Sequence, residues 1–372
     1  MDLVREAARW AVAVGSLVAV GSVSTARYLA NGPMVHSWDQ RTQLSRDLIR
    51  FMVTSSADHT WHVLGQTCHE YWPDIAQLLR PPQHVSYEQL SIPAYPLSAQ
   101  SLQSAGIWRG ALARVADASA AMHMAAERVV PASAESAVVL YVHGGAYTSG
   151  SARQYREVHA RMARATRLPV IGFSYRLAPA AQYPVQLYDA YCAYAHVRSM
   201  GYEDAQIVLA GDSAGGNLVL ALWQLVRMPA RALVLLSPRV DVTSARQSWS
   251  TFAGVDVLRA YAPDDSRSSI WQLLGHGTDK RARQLLADPF VAPVNADLHG
   301  LPPTLVQAGS AEVMLDDIRE FVRRARRQRA DVELQLFDDM FHVFQAALPG
   351  TRNLAAAWDA IGAFCSQVSS RV

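Results

Sequence analysis

The chain has 372 residues, of which 50% are hydrophobic and 18% charged, with a formal net charge of +2. That length and apolar content suit one large α/β body with an accessory region, and charges this balanced and interspersed give no sign of a nucleic-acid or strongly acidic partner. Cys68, Cys192 and Cys365 are odd in number and far apart, with no C-x-x-C; this speaks against a disulfide framework or a cysteine zinc site and favours a reducing compartment.

In chain order, the first feature is the uncharged run WAVAVGSLVAVGSVSTA over residues 10–26. It is just short of the roughly 20 residues of a membrane helix and is diluted by Gly15, Ser16, Gly21 and Ser22. A signal anchor or membrane-associated helix, an apolar helix docked on the protein and a cleaved signal peptide all fit it, and the body that follows is soluble in each case. Residues 38–80 read as helical, with Leu44, Leu48, Ile49 and Met52 at helical spacing, until Pro81-Pro82 stops the pattern. Within it His59, His62 and His69 lie near one face of a helix. Three imidazoles would suit zinc, but His69 falls about 10 Å along the axis from His62, so a polar or pocket-lining face is expected and no metal.

Six β-rich runs follow, at 137–143, 169–175, 206–210, 232–237, 303–309 and 332–337, with helical segments at about 154–166, 184–199, 215–227 and 313–329. Apolar strands separated by helices predict a mostly parallel sheet covered on both faces. Residues 245–286 interrupt this rhythm with a polar and aromatic insertion holding Trp249, Phe252 and Trp271, read as a cap over the carboxyl edge of the sheet, where such folds place ligands. The expected organisation is an apolar segment (1–33), N-terminal cap helices (34–85), a first core part (86–244), the cap insertion (245–286) and a second core part (287–372).

Three short motifs carry chemistry. At 211–216 the sequence G-D-S-A-G-G joins a strand to a helix. Glycines on both flanks of Ser213 suit a serine held on a sharp, strained turn, its hydroxyl projecting above the sheet. Upstream, H-G-G-A-Y-T-S-G-S at 143–151 follows a strand, and glycines there let backbone N–H groups approach a developing oxyanion, with His143 bracing the loop. Downstream, the loops at 310–317 and 338–345 each follow a strand and offer an acid and then a histidine. A serine hydroxyl needs a neighbouring base and the base needs a carboxylate; His342, in the loop after the last strand, is the natural base.

Taken together, H-G-G-A at 143, Y-R-L-A-P at 175, G-D-S-A-G-G at 211, D-P at 288, E-V-M-L-D-D at 312 and M-F-H-V-F at 340 resemble the hormone-sensitive-lipase-like (bacterial family IV type) carboxylesterases of the α/β-hydrolase superfamily, over roughly residues 85–365. The resemblance implies the α/β-hydrolase fold with a helical cap, a Ser-acid-His triad and a carboxylic-ester hydrolase. It maps the oxyanion donors onto the amides of Gly144, Gly145, Ala146 and Ala214, and the acid onto Glu312, thirty residues before His342. The chain departs from the family at three places. Ala146 replaces a glycine and restricts φ, Ala180 replaces the usual acid after L-A-P, and Glu312 stands where an aspartate is commonest. Asp316, a helical turn on, is the alternative acid, in which case Glu312 would only cap the helix that begins near Val313.

The expected function is hydrolysis of a small or medium-sized apolar carboxylic ester through an acyl-enzyme on Ser213, without a cofactor. A non-hydrolytic acyl transfer or cyclisation at the same site and a catalytically silent ligand receptor are the competing readings, the intact His342 opposing the last. The expected partner is a small-molecule ester and no nucleic acid, with membrane association through residues 10–26 and a homodimer as further possibilities. The expected location is cytoplasmic or membrane-associated.

Overall fold

The structure is a computed structural model, and it describes residues 2–54, 84–132, 136–258, 269–275 and 284–370. Eight strands form one sheet in the order β1-β2-β4-β3-β5-β6-β7-β8. They are β1 (Val85–Pro93), β2 (His123–Pro131), β3 (Val138–Val142), β4 (Val170–Phe173), β5 (Ile207–Asp212), β6 (Ala232–Leu236), β7 (Thr304–Gly309) and β8 (Val332–Phe337). β1 and β2 pair antiparallel, as do β2 and β4, and every later pairing is parallel. The six expected strands are present to within three residues at either end. β1 and β2 had no clear signal: β1 is an edge strand with mostly exposed or half-buried residues, so its sequence VSYEQLSIP lacks the apolar run that marks a buried strand. The core accordingly begins at Val85, within the stretch assigned to the N-terminal cap.

The central strands are apolar at every position because both faces are covered. On β3, Val138, Leu140 and Val142 enter one core while Val139 and Tyr141 enter the other, the two-residue period of a strand serving two layers. Helices α1 (Asp2–Asn31) and α2 (Gln40–Thr54) precede the sheet; α3 (Arg156–Thr166), α4 (Val185–Ser199), α5 (Ala214–Val226), α6 (Leu315–Arg327) and α7 (Leu354–Ser369) flank it. Leu187, Leu218, Leu222 and Phe321, from α4, α5 and α6, fill the first core, and Met162, Trp358 and Ile361, from α3 and α7, fill the second. The loop at 175–184, which lacks the acid expected after L-A-P, is held instead by Asp189 on α4: Arg176 donates its backbone N–H (2.8 Å) and guanidinium (2.6 Å) to that carboxylate.

The N-terminal helices pack on one another and on the loops that follow β8. In α1, Ala13 and Ser24 are buried while Val12, Val18, Val23 and Leu29 are exposed, and the stretch Ala11–Asn31 is 21 residues long, enough by length and composition to cross a membrane. The buried face of α2 is mainly polar, with Thr42, Gln43, Ser45 and Arg46 beside Leu48. Ser45 Oγ meets Thr351 Oγ1 at 2.8 Å, and Trp38, just before α2, donates Nε1–H to Asp339 O (2.6 Å) and sets its ring edge-on to Phe341. The rest of the expected 38–80 helical region, with His59, His62 and His69, lies outside the described residues. Of the 245–286 insertion, the short helices Gln247–Thr251 and Ser269–Leu274 are described, and they bury Trp249 and Trp271.

One core contact gives a pH signature. His159 on α3 is fully buried and lies over Gly172 of β4, where a Cβ would come within 2.0 Å of its ring; Tyr141 packs edge-on against it at 5.1 Å. Neither ring nitrogen has a hydrogen-bond partner, and burial pushes the imidazole down to about 3. Since the folded pKa lies below the unfolded value, the contribution is present above pH 6.5 and is lost as pH falls toward 3. His159→Asn should therefore unfold with a shallower acid dependence than the wild type, by up to about 1.4 kcal/mol per pH unit in that window. Urea unfolding of both proteins at pH 7 and pH 5 measures this, and equal losses would contradict it.

Candidate active site

β5 ends at Asp212 and α5 begins at Ala214, so Ser213 is the single residue of the turn, at φ 51° and ψ −118°. An L-residue occupies such a conformation only where its surroundings enforce it. Ser213 N–H donates to Leu236 O (2.9 Å), and Ser213 O accepts the N–H of Arg239 (2.9 Å) and of Asn217 (3.2 Å). The flanking glycines are required by close approach: a Cβ on Gly215 would fall 2.0 Å from Val142 O and 2.5 Å from His143 O. The helix can therefore start directly against the end of β3.

The loop after β3 faces this turn. Gly145, Ala146 and Tyr147 take φ of 105°, 55° and 66°, so the alanine that replaces a glycine stands in the left-handed region, at a cost of roughly 1–2 kcal/mol. Several contacts enforce it. Gly145 O accepts Thr148 N–H and Ser149 N–H, each at 3.0 Å, and Tyr147 donates its hydroxyl to Asn217 Oδ1 on α5 at 2.6 Å. His143 braces the loop as expected: Nδ1–H donates to Gly144 O (2.7 Å), and the ring stacks on Tyr175 at 4.1 Å.

The buried Asp212 carboxylate joins the two turns. It accepts the hydroxyls of Tyr141 and Tyr155 and the backbone N–H of Gly144, each at 3.0 Å. Burial raises it to about 6 against the pull of these donors. This corrects one expectation: the Gly144 amide is taken by Asp212 and is not available to an oxyanion. The amides of Gly145, Ala146 and Ala214 donate to no described residue.

The base and the acids come from the loops after β8 and β7. Ser213 Oγ–H donates to His342 Nε2 at 2.9 Å, and both residues are buried. Glu312 Oε2 lies 3.9 Å from His342 Nδ1, beyond hydrogen-bond length, while accepting Ser237 Oγ–H (2.6 Å) and Gly309 N–H (3.2 Å). His342 Nδ1 and Glu312 Oε1 are both buried without a hydrogen bond, so a small carboxylate rotation would join them, as catalytic contacts often tighten once substrate binds. Burial pushes Glu312 up to about 8, with the Asp256 charge adding to it, and pushes His342 down to about 3, with Arg239 adding to that. The downward shift keeps the imidazole neutral and able to accept a proton. Asp316 is placed elsewhere: it accepts Ser248 N–H (2.9 Å) and lies 3.8 Å from Arg319. Nor does the Glu312 side chain cap α6, since the carboxylate's hydrogen bonds go to Ser237 and Gly309.

Two residues of the site escaped the sequence reading. Ser237, at the end of β6, donates to Glu312 and accepts Val343 N–H at 3.1 Å, tying the two loops together. Asp256, from the insertion, is fully buried and accepts His342 N–H (2.9 Å) and Val257 N–H (2.6 Å) on Oδ1 and Val313 N–H (2.7 Å) on Oδ2. Its own turn is clamped by Arg46 of α2, which donates to Val255 O and Gly254 O, each at 2.7 Å. An acid in a divergent insertion has no local motif, and only the fold brings it to the residues beside Glu312 and to His342.

Comparisons with known proteins bear on the fold and the class of reaction. Residues 139–346 match the model of a family described by the alpha/beta hydrolase fold. The chain is 34% identical to an acetyl-hydrolase of Streptomyces hygroscopicus, over 65% of this chain and 79% of that one, and 32% identical to an esterase of Acinetobacter venetianus, over 59% and 71%. Among solved structures it is similar to an esterase of the bacterial hormone-sensitive lipase family, with a TM-score of 0.66 and 29% identity over 86% of this chain and 96% of that one.

Asp256→Ala leaves three buried N–H groups without an acceptor, at about 1–3 kcal/mol each before relaxation. The variant should melt several degrees lower and lose at least about tenfold in kcat, because both triad loops lose their common anchor. Thermal unfolding and steady-state kinetics on a p-nitrophenyl ester measure these effects; an unchanged kcat in the folded variant would show that the loops hold themselves.

Proposed function

The chain belongs to the α/β-hydrolase fold family, in its hormone-sensitive-lipase-like branch, and is a carboxylic-ester hydrolase; on that premise we propose that it works through an acyl-enzyme formed on Ser213. The observation that carries this reading is the 2.9 Å contact from Ser213 Oγ to the neutral Nε2 of His342 at a strained strand-to-helix turn. Ser213 attacks the ester carbonyl as its proton passes to His342 Nε2. The amides of Gly145, Ala146 and Ala214 hold the oxyanion, each donor contributing on the order of 3 kcal/mol. His342 then gives the proton to the departing alkoxide. In the second half water attacks the acyl carbonyl, again losing a proton to His342, and Ser213 leaves with that proton. Glu312 orients the imidazole and stabilises its charged form. No step calls on a cofactor or a metal.

The described parts of the 245–286 insertion, with α2, belong in this reading to the cap that bounds the substrate, a small or medium-sized ester with an apolar body. The α1 helix lies along a membrane surface. Its support is the 21-residue apolar stretch with Val12, Val18, Val23 and Leu29 exposed, while Gln40 of α2 donates to Thr25 at 3.3 Å and ties that helix to the catalytic body. Deleting residues 1–33 should move the protein from the membrane to the soluble fraction of a cell lysate with little change in kcat on a soluble ester. Equal partitioning of the two forms would remove the membrane role.

Ser213→Ala should abolish ester turnover and labelling by a fluorophosphonate while leaving the melting temperature within a few degrees, since it removes one hydroxyl and no core volume; more than a percent or so of residual turnover would contradict the acyl-enzyme. Glu312→Gln keeps shape and removes the carboxyl that ionises as His342 takes up a proton, so kcat should fall by about 10³ to 10⁴. Asp316→Asn should cost far less, because Asp316 faces Ser248 and Arg319. If the order of the two effects is reversed in the measured kcat values, the acid is misassigned.

A further inference from the structure

Arg239 follows the Ser237-Pro238 pair after β6 and is 8% exposed. Its main chain is fixed at the nucleophile turn: the N–H donates to Ser213 O at 2.9 Å, and the carbonyl accepts Asn217 Nδ2–H at 2.7 Å. Its side chain reaches the cap, where Nη1–H donates to Ser269 Oγ (3.2 Å) at the start of the helix Ser269–Leu274. Its charge acts on His342 and on the Tyr147 hydroxyl of the oxyanion loop. Arg239 is thus anchored at the Ser213 turn and reaches the cap, the two sides between which an ester bound at Ser213 lies.

This cation is poorly neutralised. Asp241 and Asp317 are the carboxylates whose charges it feels, and both are engaged by others. Asp241 Oδ1 accepts the N–H (2.9 Å) and hydroxyl (2.7 Å) of Thr243, and its Oδ2 lies 3.8 Å from Arg246. Asp317 accepts Trp249 Nε1–H at 2.8 Å and lies 3.0 Å from Arg246 Nε. Arg239 makes no ion pair with a described carboxylate, and its Nε–H has no hydrogen-bond partner. A guanidinium offers five N–H donors in a planar fork that fits a carboxylate. Burying one without that partner is costly, and an apolar residue would serve stability better. Beside a reactive serine, an unneutralised buried charge marks a place for a charged group of the ligand.

We propose that Arg239 binds a carboxylate carried by the substrate, so that the ester this enzyme takes is an acidic one, with an apolar body and one anionic end. The proposal deepens the esterase reading and rests on it for the pose. Its test is a binding measurement that needs no turnover. In Ser213→Ala protein, calorimetry compares monoethyl glutarate with ethyl pentanoate, which has a methyl group in place of the carboxylate. The anionic ester should bind about tenfold or more tightly than the neutral one, and Arg239→Met in the same background should erase that advantage, with Arg239→Lys keeping part of it. Equal affinities for the two esters, a comparison that needs no Arg239 variant, would overturn the proposal, as would an advantage that survives Arg239→Met. Failure of the acyl-enzyme reading would appear separately, as missing turnover of p-nitrophenyl butyrate by the chain with Ser213 intact.

Discussion

Ser213 stands at φ 51° and ψ −118°, and the rest of the site is arranged around keeping it there. The strain is of order 1–3 kcal/mol, and the fold offsets it by pinning the turn from every side. Leu236 O takes its N–H, its own carbonyl holds Arg239 and Asn217, and Gly215 lets α5 begin in contact with the end of β3. Asp212, one residue before, grips the oxyanion loop through Gly144 N–H. A single turn thus fixes the position of Ser213 and of the Gly145 and Ala146 amides opposite it.

His342 and Glu312 are held by a different means. Neither residue is itself at positive φ, though Val343 beside His342 is, at 52°, and their loops are tied by side chains that accept or donate across gaps in sequence. Ser237 joins the two loops from β6, and Asp256 joins them from the insertion, with Arg46 of α2 holding the Asp256 turn. Helix α2 of the N-terminal region is in this way coupled to the position of His342. The 3.9 Å between Glu312 and His342 leaves a buried polar atom of each without a hydrogen bond among the described residues, and the neutral imidazole is the form that a general base requires.

Much of this was legible in local sequence because local sequence carries it. The apolar runs of β3 to β7 are buried on both faces, so their composition alone marks them, and the glycines at 211, 215 and 145 report close approach and positive φ at their own positions. Ser213, His342 and Glu312 sit on turns that directly follow strands, where motif and geometry coincide. β1 was missed because an edge strand keeps polar residues facing water, and β2 because buried residues alternate there with exposed ones and include Glu127, so neither shows an unbroken apolar run. Asp256, Ser237 and Arg239 were missed for another reason: each acts at a distance in sequence, through a backbone group or an unneutralised charge that exists only once the sheet is assembled. Gly144 was overcounted because nothing in H-G-G-A says that Asp212 will claim its amide.

The central claim is that Ser213 alone is the nucleophile. Treating the protein with diethyl p-nitrophenyl phosphate, then measuring nitrophenolate release and mapping peptide masses, tests it most directly. The account predicts one nitrophenolate per chain, one diethylphosphoryl adduct on the peptide that carries Ser213 and parallel loss of ester turnover. Turnover that persists after complete modification of Ser213, or inactivation with the adduct on another residue, would contradict it.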